Sequence, residues 1–332
     1  MFDQDSMEVT AEIEVQQGKQ YEILIYLKNE VAVAGAGALN CGGLRIGCCE
    51  KIEPATALAE AVKLASEVDI PIVIAGLNSD FESEALDRKS LDLPPAVDEL
   101  IAAVVKANKN TASPLRQQVV VTQSGCPILM PWLDDNPNTR SRLVCGRLSL
   151  TFPKRLEDTP AFLTFGKGER EIHYDEGVFV GYRYYEKLRN PPLFYFGFGL
   201  SYSHFEYSNL KVPGKVNLFE ADTFDVSLEV SNTSNLGGQE VVQLYVADKT
   251  STVPRSVKEL KAFKKVWIDA GKSQKVTISL DKHALSFWSE VECKWLAEAG
   301  VFEVIIARSS DPRDEVLRAE VELVKNFTWN GV

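Results

Sequence analysis

Basic residues are under-represented in this chain: 36 lysines and arginines face 47 aspartates and glutamates, a formal charge of −11 over 332 residues. That balance disfavours a polyanion such as nucleic acid as partner. No apolar run approaches the roughly 20 residues that span a bilayer as a helix, so no membrane partner is expected. Histidines number three, and the six cysteines (Cys41, Cys48, Cys49, Cys126, Cys145, Cys293) include no Cys-x-x-Cys pair. A zinc site is therefore not expected, nor is a disulfide framework, and nothing calls for a cofactor. The amino terminus, Met1-Phe2-Asp3-Gln4-Asp5, lacks the basic start and apolar core of a secretory signal. Asn232-Thr233-Ser234 and Asn326-Phe327-Thr328 match the glycosylation acceptor pattern, so secreted and cytoplasmic readings both stand.

What is present is a change of period along the chain. Residues 1–50 read as the end of a β-domain. Val9, Ala11, Ile13 and Val15 alternate with polar residues, a turn follows at Gln16-Gln17-Gly18-Lys19, Tyr21 to Leu27 reads as a second strand, and Gly42 to Gly47 as a last short one. Two or three strands cannot close a sandwich, so this piece reads as a remnant. Residues 51–205 read as α/β. Ala57, Leu58, Ala61, Val62, Leu64 and Ala65 share a helix face, Ile70 to Gly76 is a buried strand, Val97 to Val105 is a second helix behind Pro94 and Pro95, and Gln118 to Thr122 is a second buried strand. Strand–helix–strand order implies a parallel crossover. Residues 153–205 are loop-rich and aromatic, with rings expected as packing anchors across domain surfaces. Residues 206–332 are all-β, with alternating runs at 224–230, 241–246, 274–280 and 301–307 that suit a seven-stranded sandwich without a titratable cluster.

The densest chemistry follows the first α/β strand. Asp80, Glu82, Glu84 and Asp87 fall within eight residues of the loop at its carboxyl end, the place where open α/β sheets bind ligands. One reading is a wet acidic turn with Arg88 and Lys89 as partial counter-charges. The other is a carboxyl held protonated to donate to a leaving oxygen, as glycoside cleavage requires.

The ordered motifs Gly76-Leu77-Asn78-Ser79-Asp80-Phe81-Glu82-Ser83-Glu84, Asp87-Arg88 and Leu91-Asp92-Leu93-Pro94 resemble the second α/β domain of glycoside hydrolase family 3, notably its β-glucosidases. Gln123-Ser124-Gly125-Cys126-Pro127, Met130-Pro131-Trp132, Tyr174-Asp175-Glu176-Gly177 and Phe196-Gly197-Phe198-Gly199 follow in the family's order. The carboxyl-terminal part, through Glu240 to Tyr245 and Arg255 to Leu260, is similar to the family's fibronectin type III-like domain. The piece at 1–50 resembles the end of the protective-antigen-like insert of some fungal members. The resemblance implies an incomplete α/β sheet domain followed by a fibronectin type III-like sandwich. It also implies a retaining β-glucosidase acting on a β-glucoside or cello-oligosaccharide. By position Glu84 would be the general acid/base, with Glu82 as competitor, while Asp87 and Arg88 would bind substrate or support the loop.

Several departures from the family stand beside these matches. The family nucleophile is an aspartate in a serine-aspartate-tryptophan context on an amino-terminal barrel of about 250 residues. The 332 residues contain no such segment. Ala112 to Gln118 interrupt the run into the second strand, and Leu133 to Cys145 is shorter than the family's helix and strand there. A truncated carboxyl-terminal portion, inactive alone, is expected, and a mis-spliced frame or degraded gene copy would account for the departures. The alternative is a non-catalytic carbohydrate-binding or scaffold protein of the same modules, using rings such as Trp132 and Phe198.

Overall fold

A computed structural model describes residues 9–26, 46–83, 87–108, 119–135, 146–166, 171–220 and 222–331. Over 9–26 it shows the expected turn, with Lys19 N–H donating to the Gln16 carbonyl at 3.2 Å, but no strand. The alternation there is real, yet these residues are exposed, and a lone ribbon without a covered face has little to hold it. The short strand expected near 42–47 lies mostly outside the described residues.

The α/β unit opens with helix α1 (Pro54–Glu67), which has proline in its first turn. Strand β1 (Ile72–Gly76), helix α2 (Val97–Ala107) and strand β2 (Val119–Gln123) follow. β1 and β2 pair in parallel, Ile72 opposite Val119 and Gly76 opposite Gln123. Val73 and Ala75 of β1 pack with Ala65, Ile101, Val104, Val105, Ile128 and Trp132 in one core. Both strands read as fully buried from their composition, and the structure corrects this. Ile72, Ile74, Val119 and Val121 project to the other face and are exposed. The helices cover one side of the pair, so the period-2 geometry of a strand sends every second apolar residue into the open.

After the short helix α3 (Trp132–Asp135), residues 146–152 and 193–199 run against each other. Phe152 N–H donates to the Phe194 carbonyl at 2.9 Å and Leu148 N–H to the Phe198 carbonyl at 2.9 Å. Helix α4 (Tyr182–Leu188) precedes the second of these runs. The rings act as the expected anchors. Phe152, Leu193 and Phe194 pack on the α/β core, while Tyr182 stacks on Phe196 and meets Tyr245 of the carboxyl-terminal domain edge-on.

That domain is a sandwich. Strands β3 (Phe205–Lys211), β4 (Lys215–Val216), β5 (Thr223–Asn232), β6 (Gly238–Asp248), β7 (Glu259–Ile268), β8 (Ser273–Asp281), β9 (Phe287–Ser289), β10 (Lys294–Ala297), β11 (Gly300–Ala307), β12 (Glu315–Leu323) and β13 (Phe327–Trp329) form three sheets. A five-stranded sheet ordered β4-β12-β11-β6-β7 faces a three-stranded sheet ordered β3-β5-β8, with the main core between them. The third, β13-β10-β9, carries Trp329, Trp295 and Trp288 as cross-strand neighbours. Eight strands therefore face each other where seven were expected, the two-residue β4 being too short to show in the sequence pattern. The Asn232 acceptor motif is also corrected. Asn232 is buried and its amide donates to the Leu236 and Ile268 carbonyls at 2.8 and 3.0 Å, so it is closed to modification.

Candidate active site

The loop after β1 begins where the two strands come closest. A Cβ on Gly76 would lie 2.2 Å from the Gln123 carbonyl oxygen, so only glycine fits this close approach. Leu77 N–H donates to the same carbonyl at 2.9 Å and carries the ladder one residue past the strand. Asn78 then curls the chain. Its carbonyl accepts from Phe81 N–H at 3.1 Å and Glu82 N–H at 3.0 Å, and its side-chain amide donates to Asp80 at 2.9 Å.

The curl aims Glu82 at the segment following β2. Its Oε1 accepts from Gly125 N–H at 2.7 Å, and its Oε2 accepts from the Cys126 thiol at 3.4 Å. Glu82 is thus a strut between the two strand-end loops and not the solvated charge that the loop's composition suggests. Arg88 grips the same segment from further along the chain. It donates to Cys126 Sγ at 2.9 Å, to the Pro127 carbonyl at 3.2 Å and to the Asp92 carbonyl at 2.9 Å. A guanidinium fork suits this spread of acceptors. Leu129 N–H donates to the Leu91 carbonyl at 2.9 Å, and the buried Leu91 and Leu93 complete the clamp.

Among the sequence candidates, Glu82 and Arg88 therefore converge on 125–127, and Asp87 lies exposed beside Arg88. Glu84 lies outside the described residues, in the stretch between the two struts. Sequence reasoning missed Cys126 and Gly125 as the receiving side of the clamp. The tight Gln-Ser-Gly-Cys-Pro run was the available signal, since a glycine just past a strand marks a close backbone approach. Asp98, in the first turn of α2, was missed as well. Burial and then the neighbouring Asp92 push its carboxyl above the ordinary range, and its Oδ1 is buried without a hydrogen-bond partner among the described residues. Trp132 is 2 % exposed within the α/β core, which removes it as a surface ring for sugar, and Phe198 packs on Phe194 at 5.1 Å. Among the described residues no group of three or more His, Cys, Asp or Glu side chains is placed to hold a metal.

The sandwich also holds titratable clusters that its sequence did not suggest. Lys258 is wholly buried between Glu186 of α4 at 3.0 Å and Glu315 at 2.6 Å. Arg147 pairs with the buried Glu240 at 2.6 Å, and Tyr207 donates to the same carboxylate at 2.9 Å. The first cluster joins the aromatic stretch to the sandwich, and the second joins the run 146–152 to it.

The profile of the glycosyl hydrolase family 3 C-terminal domain matches residues 6–145, reaching into the stretch read as a β remnant, and that of the fibronectin type III-like domain matches residues 240–310. "Probable beta-glucosidase I" of Aspergillus fumigatus is 34% identical over 359 residues, an alignment that takes in 100% of this chain and 42% of that protein. The "Beta-glucosidase" of Kluyveromyces marxianus is 36% identical over 354 residues, covering 100% of this chain and 40% of that protein. The crystal structure of the Kluyveromyces marxianus β-glucosidase in complex with glucose is similar with a TM-score of 0.74 at 37% identity, over 86% of this chain and 35% of that one. The GH3 β-glucosidase of Bifidobacterium adolescentis gives a TM-score of 0.70 at 34% identity, over 82% and 42%. The chain spans about two-fifths of the length of the curated relatives it matches.

Proposed function

The chain belongs to glycoside hydrolase family 3 through its C-terminal and fibronectin type III-like domains, and on that premise we propose that it is the proton-donor portion of a retaining β-glucosidase, with Glu84 as the general acid/base. The substrate class is a terminal, non-reducing β-D-glucosyl unit. In the first step the Glu84 carboxyl protonates the glycosidic oxygen as the C–O bond breaks and a second carboxylate, about 5 Å away, attacks the anomeric carbon. In the second step the Glu84 carboxylate takes a proton from the water that cleaves the glycosyl ester.

The observation that carries the choice of Glu84 is the engagement of its rival. Both oxygens of Glu82 accept from Gly125 and Cys126, so Glu82 is spent on holding the loop. Arg88 fixes the far side of the same loop through Cys126, Pro127 and Asp92. A donor must be placed to within a fraction of an ångström of the leaving oxygen, and Glu82 and Arg88, on either side of Glu84 in the sequence, are both held to the segment 125–127. Asp87 and Arg88 support the loop. The attacking carboxylate comes from a serine-aspartate-tryptophan segment in the family, and the 332-residue polypeptide has none. Alignments to relatives that run to 359 positions also leave residues of the relative opposite no residue of this chain.

A chimera tests the assignment: residues 51–332 replace the matching portion of the Kluyveromyces marxianus β-glucosidase. The folded chimera is expected to hydrolyse p-nitrophenyl β-D-glucoside. Glu84→Gln should cost about 10²–10⁴-fold in kcat on a poor leaving group. Glu82→Gln should cost far less, and mainly stability. A folded, active chimera indifferent to Glu84→Gln would overturn the assignment.

A further inference from the structure

The outer face of the β6–β7 edge carries a cavity of about 250 Å³, lined also by residues 200–203 and by Gly146 and Arg147. Its walls are built from a cross-strand block. Gln239 lies opposite Trp267 and Val241 opposite Lys265, so all four project from one face of the sheet. Trp267 is 57 % exposed and yet fixed in place. Its indole N–H donates to Asp269 at 2.9 Å, and its ring lies so close over Gly237 that a Cβ there would be 3.0 Å from Cζ2. Gly238 makes room on the same floor, because a Cβ on it would meet the Ser203 hydroxyl oxygen at 2.5 Å. Tyr202 supplies a second exposed ring. An exposed indole locked by a hydrogen bond and a glycine floor is a pre-organised platform, with little side-chain freedom left to lose on binding.

The chemistry of the walls selects the ligand. The volume falls below the roughly 300–1,000 Å³ of sites for drug-sized molecules, which suits a single ring. The lining is mostly apolar and aromatic, with a side-chain amide that both donates and accepts at Gln239 and an ammonium at Lys265. The guanidinium of Arg147 is engaged by Glu240 at 2.6 Å and by the Gly199 carbonyl at 2.9 Å, so its charge is already paired. A flat apolar face flanked by groups that bond hydroxyls matches a neutral pyranose, whose C–H face stacks while its hydroxyls are bonded at the rim. We propose that this cavity is a carbohydrate-binding subsite of the fibronectin type III-like domain that takes one glucosyl unit of a β-linked glucan, with Trp267 as the stacking platform and Gln239 and Lys265 as hydroxyl partners. The choice of glucose over other neutral sugars rests on the β-glucosidase reading, while the platform itself does not.

The test is titration of the whole 332-residue chain with glucose, cellobiose and cellotetraose, followed by calorimetry and tryptophan fluorescence. Saturable binding at millimolar sugar is expected. Trp267→Ala should weaken it by about tenfold or more, Trp267→Phe should retain most of it, and Gln239→Ala should weaken it several-fold. Trp288→Ala, at an exposed indole on another sheet, should leave it unchanged. No saturable binding to any of the three sugars, or binding indifferent to Trp267→Ala, would overturn the proposal. Equal or tighter binding of glucuronate would overturn the neutral ligand class. Because the readout is affinity and not hydrolysis, binding that persists in a chimera indifferent to Glu84→Gln would count against the glucosidase reading alone.

Discussion

Lys258 has no contact with water, and two carboxylates, Glu186 and Glu315, sit 3.0 and 2.6 Å from its ammonium. Burial pushes the ammonium towards its neutral form and pushes the Glu186 carboxyl up, while their mutual attraction opposes both shifts. Removing one member strands the others in a place that water does not reach. Lys258→Ala is expected to destabilise the chain by about 3–5 kcal/mol, read from equilibrium urea unfolding. A loss below 1 kcal/mol would mean that water already reaches the cluster. Asp311 gives a signal of a different kind. Burial would raise its pKa, but hydrogen bonds from the Arg313 side chain and backbone outweigh it, and the carboxyl is held below the ordinary range. A carboxyl with a depressed folded pKa adds stability that is present above its unfolded value, about 3.9, and is lost as pH falls through the folded value. Thermal melts from pH 6 down to pH 2 should therefore show a smaller acid-induced fall for Asp311→Asn than for the parent chain. The Lys258 cluster was not legible at single positions, because Lys258, Glu186 and Glu315 are far apart in the chain and their burial is a property of the packed whole.

At the scale of elements, period carried most of the information. The 3.6-residue spacing of Ala57, Ala61 and Ala65 foretold α1, and the alternation of Phe224, Val226, Leu228 and Val230 foretold β5. β7 was hidden because it is an edge strand: Phe263 and Trp267 lie exposed among lysines, which blurs the alternation. β12 follows the alternation as well, Leu317, Ala319, Val321 and Leu323 being separated by Arg318, Glu320 and Glu322. The strand pair β1–β2 was recognised, but an apolar run carries no mark of which face is covered. In the candidate site the sequence located the loop and its carboxylates, whereas the strut from Glu82 to Gly125 joins residues 43 apart and emerges only once the strands pair. Gly125→Ala should displace the Glu82 carboxylate, because the new Cβ would sit 2.1 Å from Oε1. Its expected cost is about 1–2 kcal/mol, similar to that of Glu82→Ala. If both act through one contact, the double variant should cost little more than either single one, as a double-mutant cycle on urea midpoints reads directly. Additive losses would show that the strut is not the shared cause.

For the whole molecule, the α/β unit holds Glu82 and Arg88 against the segment 125–127, and the aromatic stretch joins the sandwich through Tyr182, Phe196 and Lys258. A retaining glycosidase needs two carboxyl groups facing each other across the scissile bond; on the proposed reading Glu84 is one of them, and the 332 residues hold no serine-aspartate-tryptophan run for the other. The most direct measurement is release of p-nitrophenol from p-nitrophenyl β-D-glucoside by the purified 332-residue chain alone. The account predicts no turnover above the buffer rate. Sustained turnover that Glu84→Gln abolishes would contradict it, because an attacking carboxylate would then have to lie within these residues.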